Sequence, residues 1–234
     1  MSDFLTGEVL EITPLSDIVR QFKISYALSD AFVPGQFVML DLPIEGEFST
    51  RSYSIASAPN TEGWIELCIV HKPGGLGTTY LFNQVEVGDR ITLSAPQGKF
   101  VLQEEHQGIV MVATGTGVAP FRSMIRSMIN LPEFNTLPIY LIFGNRFEKD
   151  ILYRDEWEIL EQSRENFHFV PVLSRESDWE GPKGYVHDHY LPIAQAHPNF
   201  HFYLCGWTTM VREAKNKLKE RGFSRKQLKF ELYD

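Results

Sequence analysis

The chain has 234 residues, enough for one or two domains, and its 30 acidic against 22 basic side chains leave a formal net charge of −8. That balance argues against non-specific binding to nucleic-acid phosphates. Hydrophobic residues make up 43% and charged residues 22%, the composition of a globular chain rather than a disordered one.

The two cysteines, Cys68 and Cys205, are too few for a four-thiolate iron–sulfur cluster or a disulfide framework. Residues 1–10 hold no basic side chain and no long apolar run, so no secretory signal is expected. No stretch approaches about 18 consecutive apolar residues, so no membrane span is expected and the expected compartment is the cytoplasm.

In chain order, the first hundred residues read as short strands: Phe4–Ile12, Ile18–Ser25, Gln36–Leu42, Ser52–Ile55, Ile65–Val70 and Arg90–Ser94. Breakers such as Pro34-Gly35, Gly46, Gly74-Gly75 and Gly88-Asp89 separate them. Six strands at this spacing predict an antiparallel barrel, with one short helix at Thr78–Phe82. From about residue 105 the rhythm changes. Apolar strands at Gly108–Ala113, Ile139–Phe143, Phe167–Leu173, His201–Cys205 and Leu228–Leu232 alternate with helices at Ala119–Ile129, Lys149–Gln162 and Thr208–Arg221. That alternation predicts a parallel α/β sheet. The junction is placed at Gln97–Gln107, with a barrel domain over residues 1–102 and an α/β domain over residues 103–234.

Two motifs carry chemistry. Ala113-Thr-Gly-Thr-Gly-Val-Ala-Pro120 joins a buried strand to a helix. Its glycines allow close backbone approach to a phosphate, which the helix start attracts. It lacks the third glycine of the dinucleotide fingerprint and the Lys-Ser/Thr ending of a P-loop, and a tight structural turn is the plain alternative. The second strand ends in Phe143-Gly-Asn-Arg146, with an arginine where an NAD fold places a ribose-binding carboxylate. In Arg51-Ser-Tyr-Ser-Ile-Ala-Ser57, alternation puts Arg51, Tyr53 and Ile55 on one face. A cation beside an aromatic ring suits a phosphate next to a flat heterocycle, and an ordinary surface strand is the alternative.

Taken together in order, Arg-x-Tyr-Ser, Gly-Thr-Gly-Val-Ala-Pro and Cys205-Gly206 resemble the ferredoxin–NADP reductase superfamily over essentially the whole chain. The resemblance implies an FAD-binding antiparallel six-stranded barrel followed by a parallel NAD(P)-binding α/β domain. It implies that Arg51 binds the FAD pyrophosphate, that Tyr53 packs on the isoalloxazine and that Ser54 lies near its N5. The backbone of Cys68, Ile69 and Val70 would line the flavin edge. Gly75-Leu-Gly77-Thr78 would start a helix that cradles the pyrophosphate, with Thr78 as a side-chain ligand. Thr114, Gly115, Thr116, Gly117 and Pro120 would hold the NAD(P) pyrophosphate, with Arg146 on the adenosine side. Ser174 and Arg175, in Ser-Arg-Glu, would bind a 2′-phosphate, and Tyr185 would flank the adenine. A second basic residue of one family pattern is replaced by Tyr185, so NADP(H) is favoured and NAD(H) stays open.

Cys205 would contact the nicotinamide, with a buried structural cysteine as the alternative. The ending Phe230-Glu-Leu-Tyr233 resembles the family's Glu-x-Tyr, in which Tyr233 covers the flavin and Glu231 assists proton and hydride traffic. Asp234 is a departure, one residue beyond that tyrosine.

Seven histidines lie without a tetrahedral ligand set, so no metal is expected. Residues 212–229 contain eight basic and two acidic side chains. They read either as a solvated helix end or as a docking face for an acidic partner. The expected activity is hydride transfer between NAD(P)H and FAD, with Ser54, Cys205 and Glu231 as catalytic residues and ferredoxin, flavodoxin or another carrier as partner. Neither nucleic acid nor membrane is expected as a partner. An NAD(P)H:flavin reductase and a non-catalytic nucleotide-binding module are the alternatives.

Overall fold

A computed structural model describes residues 4–44, 46–103 and 107–233. Asp234, and residues 104–106 within the expected junction, lie outside the described residues. By internal contacts the chain divides into residues 1–102 with 119–129, and residues 103–118 with 130–234.

The first unit contains β1 (Phe4–Pro14), β2 (Val19–Ser25), β3 (Phe37–Ile44), β4 (Glu47–Ser54), β5 (Trp64–Val70), the helix α1 (Leu76–Asn83) and β6 (Arg90–Ser94). The sheet order is β4-β3-β6-β1-β2-β5, with every pairing antiparallel. Alternation sets which side faces in: on β3, Val38, Leu40, Leu42 and Ile44 are buried. They meet Val9, Phe22, Ile24, Leu67, Leu93 and the helix residue Leu81 in one core. The sheet curls far enough for Ile55, just past β4, to bridge Leu67 of β5, which turns two open edges into a closed wall. The helix α2 (Ala119–Met128) also belongs to this unit. Its Phe121 ring lies 5.8 Å from that of Phe100.

The second unit contains β7 (Ile109–Thr114), a 3₁₀ turn at Gly115–Val118, β8 (Ile139–Asn145), α3 (Arg154–Ser163), β9 (Phe167–Leu173), α4 (His187–Ala196), β10 (His201–Trp207), α5 (Thr208–Glu220) and β11 (Leu228–Tyr233). The order is β11-β10-β7-β8-β9, all parallel. The central strands read as continuous apolar runs because both faces are covered: Ile109–Ala113 and Phe202–Cys205 are wholly buried.

Two helix expectations are corrected. Residues 149–162 do not form one helix: a 3₁₀ turn occupies Glu148–Asp150, and Tyr153 adopts φ 57° before α3 begins at Arg154. A left-handed residue cannot continue a right-handed helix. Conversely, α4, which has Pro192 inside it, was not among the expected helices. Burial of Tyr190 and Ala194 against Val186, Phe202 and Val211 offsets the hydrogen bond that proline forgoes. Among the described residues, no helix is long and apolar enough to cross a membrane.

Candidate functional site

In the first unit, β4 presents Arg51 outward while Tyr53 packs against the barrel core. Burial pushes the Tyr53 hydroxyl up to about 12, and the Arg51 charge pulls it partly back. The ring is therefore neutral at pH 7. The Arg51 guanidinium donates to Ser49 Oγ (2.6 Å) and the Thr50 carbonyl (2.8 Å). Its stem lies against the start of α1, since a Cβ on Gly77 would sit 3.2 Å from Arg51 Cγ. That helix starts at an extended Gly75 with no side-chain cap. Uncapped helix N–H groups beside a guanidinium form a cradle for a diphosphate.

The Thr78 hydroxyl is engaged in the turn itself. It accepts from Lys72 N–H (3.1 Å) and donates to the Gly75 carbonyl (3.1 Å). Cys68 and Ile69 are buried on β5 and Val70 is half-buried. Among the described residues, β5 has no further strand beside it in the sheet order beyond the Leu67 bridge. Ser54, at the end of β4, is buried. His71 follows β5 directly, its Nε2 buried without a hydrogen-bond partner. Nothing in the sequence pattern singled it out.

In the second unit the C-terminal ends of the parallel strands converge, where ligands of α/β sheets bind. The turn Thr114–Gly117 is packed against β10 so closely that a Cβ on Gly117 would lie 2.5 Å from the Cys205 carbonyl. Gly206 has φ +126°, and a Cβ there would meet Thr114 Oγ1 at 2.3 Å. Backbone alone fits at both places, so the turn lies directly against the end of β10. Pro120 stands in the first turn of α2, as its fixed φ favours.

The β8 and β9 ends are zipped together. Ser174 N–H donates to the Asn145 carbonyl (3.1 Å) and Arg175 N–H to the Arg146 carbonyl (3.0 Å). Ser174, Arg175, Arg146 and Tyr185 are all exposed there. An open pocket of about 560 Å³ lies alongside, lined by Phe147, Glu148, Lys149, Ile151, Arg154 and Glu176. Asn145 Nδ2 is buried and unpartnered. A polar ligand at this end would satisfy it.

At the other side of the same sheet, Cys205 pairs in register with Glu231 and Trp207 with Tyr233. Cys205 is fully buried. Burial and the Glu231 charge push its thiol well up, while a hydrogen bond with Tyr233 pulls it back. The sulfur is therefore a neutral thiol rather than a thiolate nucleophile. The structure thus gathers Arg51, Tyr53, Ser54, Gly75, Gly77 and Thr78 in one unit. It gathers the Thr114–Gly117 turn, Arg146, Ser174, Arg175, Cys205, Gly206, Glu231 and Tyr233 in the other. Sequence reasoning missed Trp207, an exposed aromatic at the end of β10, since a lone tryptophan carries no spacing signal.

A helix start without a side-chain cap beside Arg51 in a barrel, and a glycine turn closing a parallel sheet, are features that flavin- and nicotinamide-nucleotide-binding oxidoreductases use. The comparisons agree. The family model for an oxidoreductase FAD-binding domain matches residues 6–102, and that for an oxidoreductase NAD-binding domain matches residues 111–216. The chain is 35% identical to ferredoxin–NADP reductase B of Sorangium cellulosum, over 97% of each chain. It is 30% identical to the anthranilate 1,2-dioxygenase electron transfer component of Acinetobacter baylyi, over 82% of this chain and 55% of that one. The crystal structure of an Amycolatopsis cytochrome P450 reductase superposes with a TM-score of 0.88 at 28% identity, over 99% of this chain and 71% of that one. The chain belongs to the ferredoxin–NADP reductase superfamily, with FAD as cofactor and NAD(P)H as co-substrate. It spans little more than half the length of the oxygenase-linked relative.

Proposed function

We propose that this protein is an NADPH-preferring reductase that feeds electrons through FAD to a separate acidic carrier protein such as ferredoxin or flavodoxin, or to an oxygenase component. The observation that carries the coenzyme preference is the zipped loop pair, in which Arg175 N–H is bonded to the Arg146 carbonyl. The Arg175 guanidinium and the Ser174 hydroxyl then stand at the strand ends where an NAD-specific site needs a carboxylate. Residues 1–102 serve as the FAD-binding domain and residues 103–234 as the NAD(P)-binding domain.

Bound FAD would supply hydride acceptance and single-electron release. The chain's own residues bind and orient. Arg51 and the α1 start would neutralise the FAD diphosphate, Tyr53 would supply a neutral face for the ring, and Ser54 would offer a hydroxyl to it. The neutral Cys205 thiol gives the nicotinamide an uncharged, polarisable neighbour. Glu231 and Tyr233, held on β11 by register with β10, can hold or pass a proton beside it. The exposed cations Arg212, Lys219, Arg221, Arg225 and Lys226, on and just beyond α5, favour an acidic partner. The naming of one relative as an oxygenase's electron transfer component supports the same direction of electron flow.

The test is the visible spectrum of the purified protein before and after anaerobic NADPH or NADH. Flavin bands that bleach faster with NADPH are expected, with the difference lost in Arg175→Ala. Protein that stays colourless after added FAD overturns the reading. Flavin lost on dialysis points instead to flavin as a dissociable substrate.

A further inference from the structure

Arg146, just past β8, and Trp207, at the end of β10, reach toward each other. The guanidinium carbon lies 5.9 Å from the centre of the Trp207 ring, within cation–π range. In the sheet order, β7 stands between these two strands. The pair therefore passes across the end of β7, where the Thr114–Gly117 turn begins.

The Trp207 backbone is fixed on both sides. Its N–H donates to Thr114 Oγ1 (3.0 Å), and it pairs in register with Tyr233. Yet the residue remains 64% exposed. Arg146 is also exposed, and no carboxylate among the described residues pairs with it. Its carbonyl is bonded to Arg175, so its backbone belongs to the adenosine-side loops. Its side chain turns the opposite way, toward β10.

We propose that Trp207 is a positioning residue that holds the Arg146 guanidinium over the Thr114–Gly117 turn. Arg146 then serves the pyrophosphate, which NADH and NADPH share, and leaves recognition of the 2′-phosphate to Ser174 and Arg175. A cation kept near the turn recognises both coenzymes alike, so Trp207 limits how far this site discriminates between them. The inference rests on reading the second unit as the dinucleotide site.

Two partial ligands separate the roles in calorimetric titrations of the FAD-loaded protein. ADP-ribose carries the pyrophosphate without the 2′-phosphate, and 2′-AMP carries the reverse. Trp207→Leu is expected to weaken ADP-ribose about two- to fivefold, the size of one exposed cation–π contact, and to leave 2′-AMP unchanged. Trp207→Phe, which keeps a π face, should restore most of the loss. Arg146→Gln should weaken ADP-ribose further, and Trp207→Leu added to it should cost nothing more, because both changes remove one interaction. Arg175→Gln should show the opposite ligand pattern. Unchanged ADP-ribose affinity in Trp207→Leu overturns the proposal, as does a loss confined to 2′-AMP or full additivity with Arg146→Gln. If the unmodified protein binds neither ligand, the dinucleotide reading itself fails.

Discussion

Arg122 Nη1 lies 2.6 Å from Glu66 Oε2 and 3.1 Å from the Ala56 carbonyl, with both charged side chains buried. Gln21 adds a donor to Glu66 at 3.1 Å, and Ser57 Oγ accepts the Glu66 N–H at 3.1 Å. The cluster clamps α2 and the segment after β4 onto β5.

Removing Glu66 alone takes this carboxylate from the buried Arg122, and removing Arg122 alone leaves Glu66 with the more distant, half-exposed Arg126 at 3.8 Å. Arg122→Met or Glu66→Leu alone should therefore cost about 3–5 kcal/mol of stability. The double variant should recover part of that loss, because neither charge is then stranded. Urea unfolding midpoints of the FAD-loaded proteins decide the matter.

Gly117→Ala drives a methyl group to 2.5 Å from the Cys205 carbonyl, and backbone must yield. The expected cost is about 1–3 kcal/mol, with a raised KM for NADPH as the turn shifts. Thermal melting and steady-state kinetics with an artificial acceptor measure the two effects.

In the proposed role, Arg51 would supply charge-assisted contacts worth about 1.5–3 kcal/mol to a bound diphosphate. Arg51→Ala should therefore weaken FAD retention by about ten- to a hundredfold while the fold survives, because the side chain is exposed. Ultrafiltration and the absorbance of the retained flavin report the change.

The buried Cys205 thiol stays protonated well beyond neutral pH, since burial and Glu231 both oppose the thiolate. At pH 8 the folded protein should react sluggishly with a disulfide reagent, and both cysteines should react at once in guanidinium. Rapid native labelling of Cys205, located by mass spectrometry, contradicts the buried neutral thiol.

His187 and His201 have their pKa lowered, chiefly by burial. The folded protein then binds fewer protons than the unfolded chain between the folded pKa and about 6.5. Stability from these two rings is complete above about pH 6.5 and falls away as pH drops through that window. Around His187, Glu213 and Asp188 oppose the shift and Lys217 reinforces it, and Lys229 reinforces it at His201. Melting temperatures from pH 7.5 to 5 should decline less steeply in a His187→Gln, His201→Gln variant.

Strands were legible wherever burial imposes a period. The alternation of β3 and the unbroken apolar run of β7 identify their sheets directly from sequence. Helices were less so. Tyr153 halts a helix that composition alone continues, and no turn residue announces its left-handed backbone. The helix α4 survives Pro192 through tertiary burial of Tyr190, a cost and a gain that only the folded chain displays. Among the site residues, Arg51 and Gly117 belong to recognisable ordered motifs. The Arg146–Trp207 contact joins strand ends 61 residues apart in sequence, and no local pattern encodes it.

The closed wall of the first unit is stitched at a single rung, Ile55 with Leu67, reinforced by Ala56 N–H to the Glu66 carbonyl at 2.8 Å. Every other neighbouring pair in that cylinder shares at least two registered residue pairs. Such a wall should open first at that seam, and the amides at 55–57 are expected to trade their hydrogens with water sooner than those between β1 and β2. Arg51 and Tyr53 stand on the strand that runs into that rung. If the flavin is held there, its lifetime should follow a local fluctuation of one seam rather than collapse of the whole barrel.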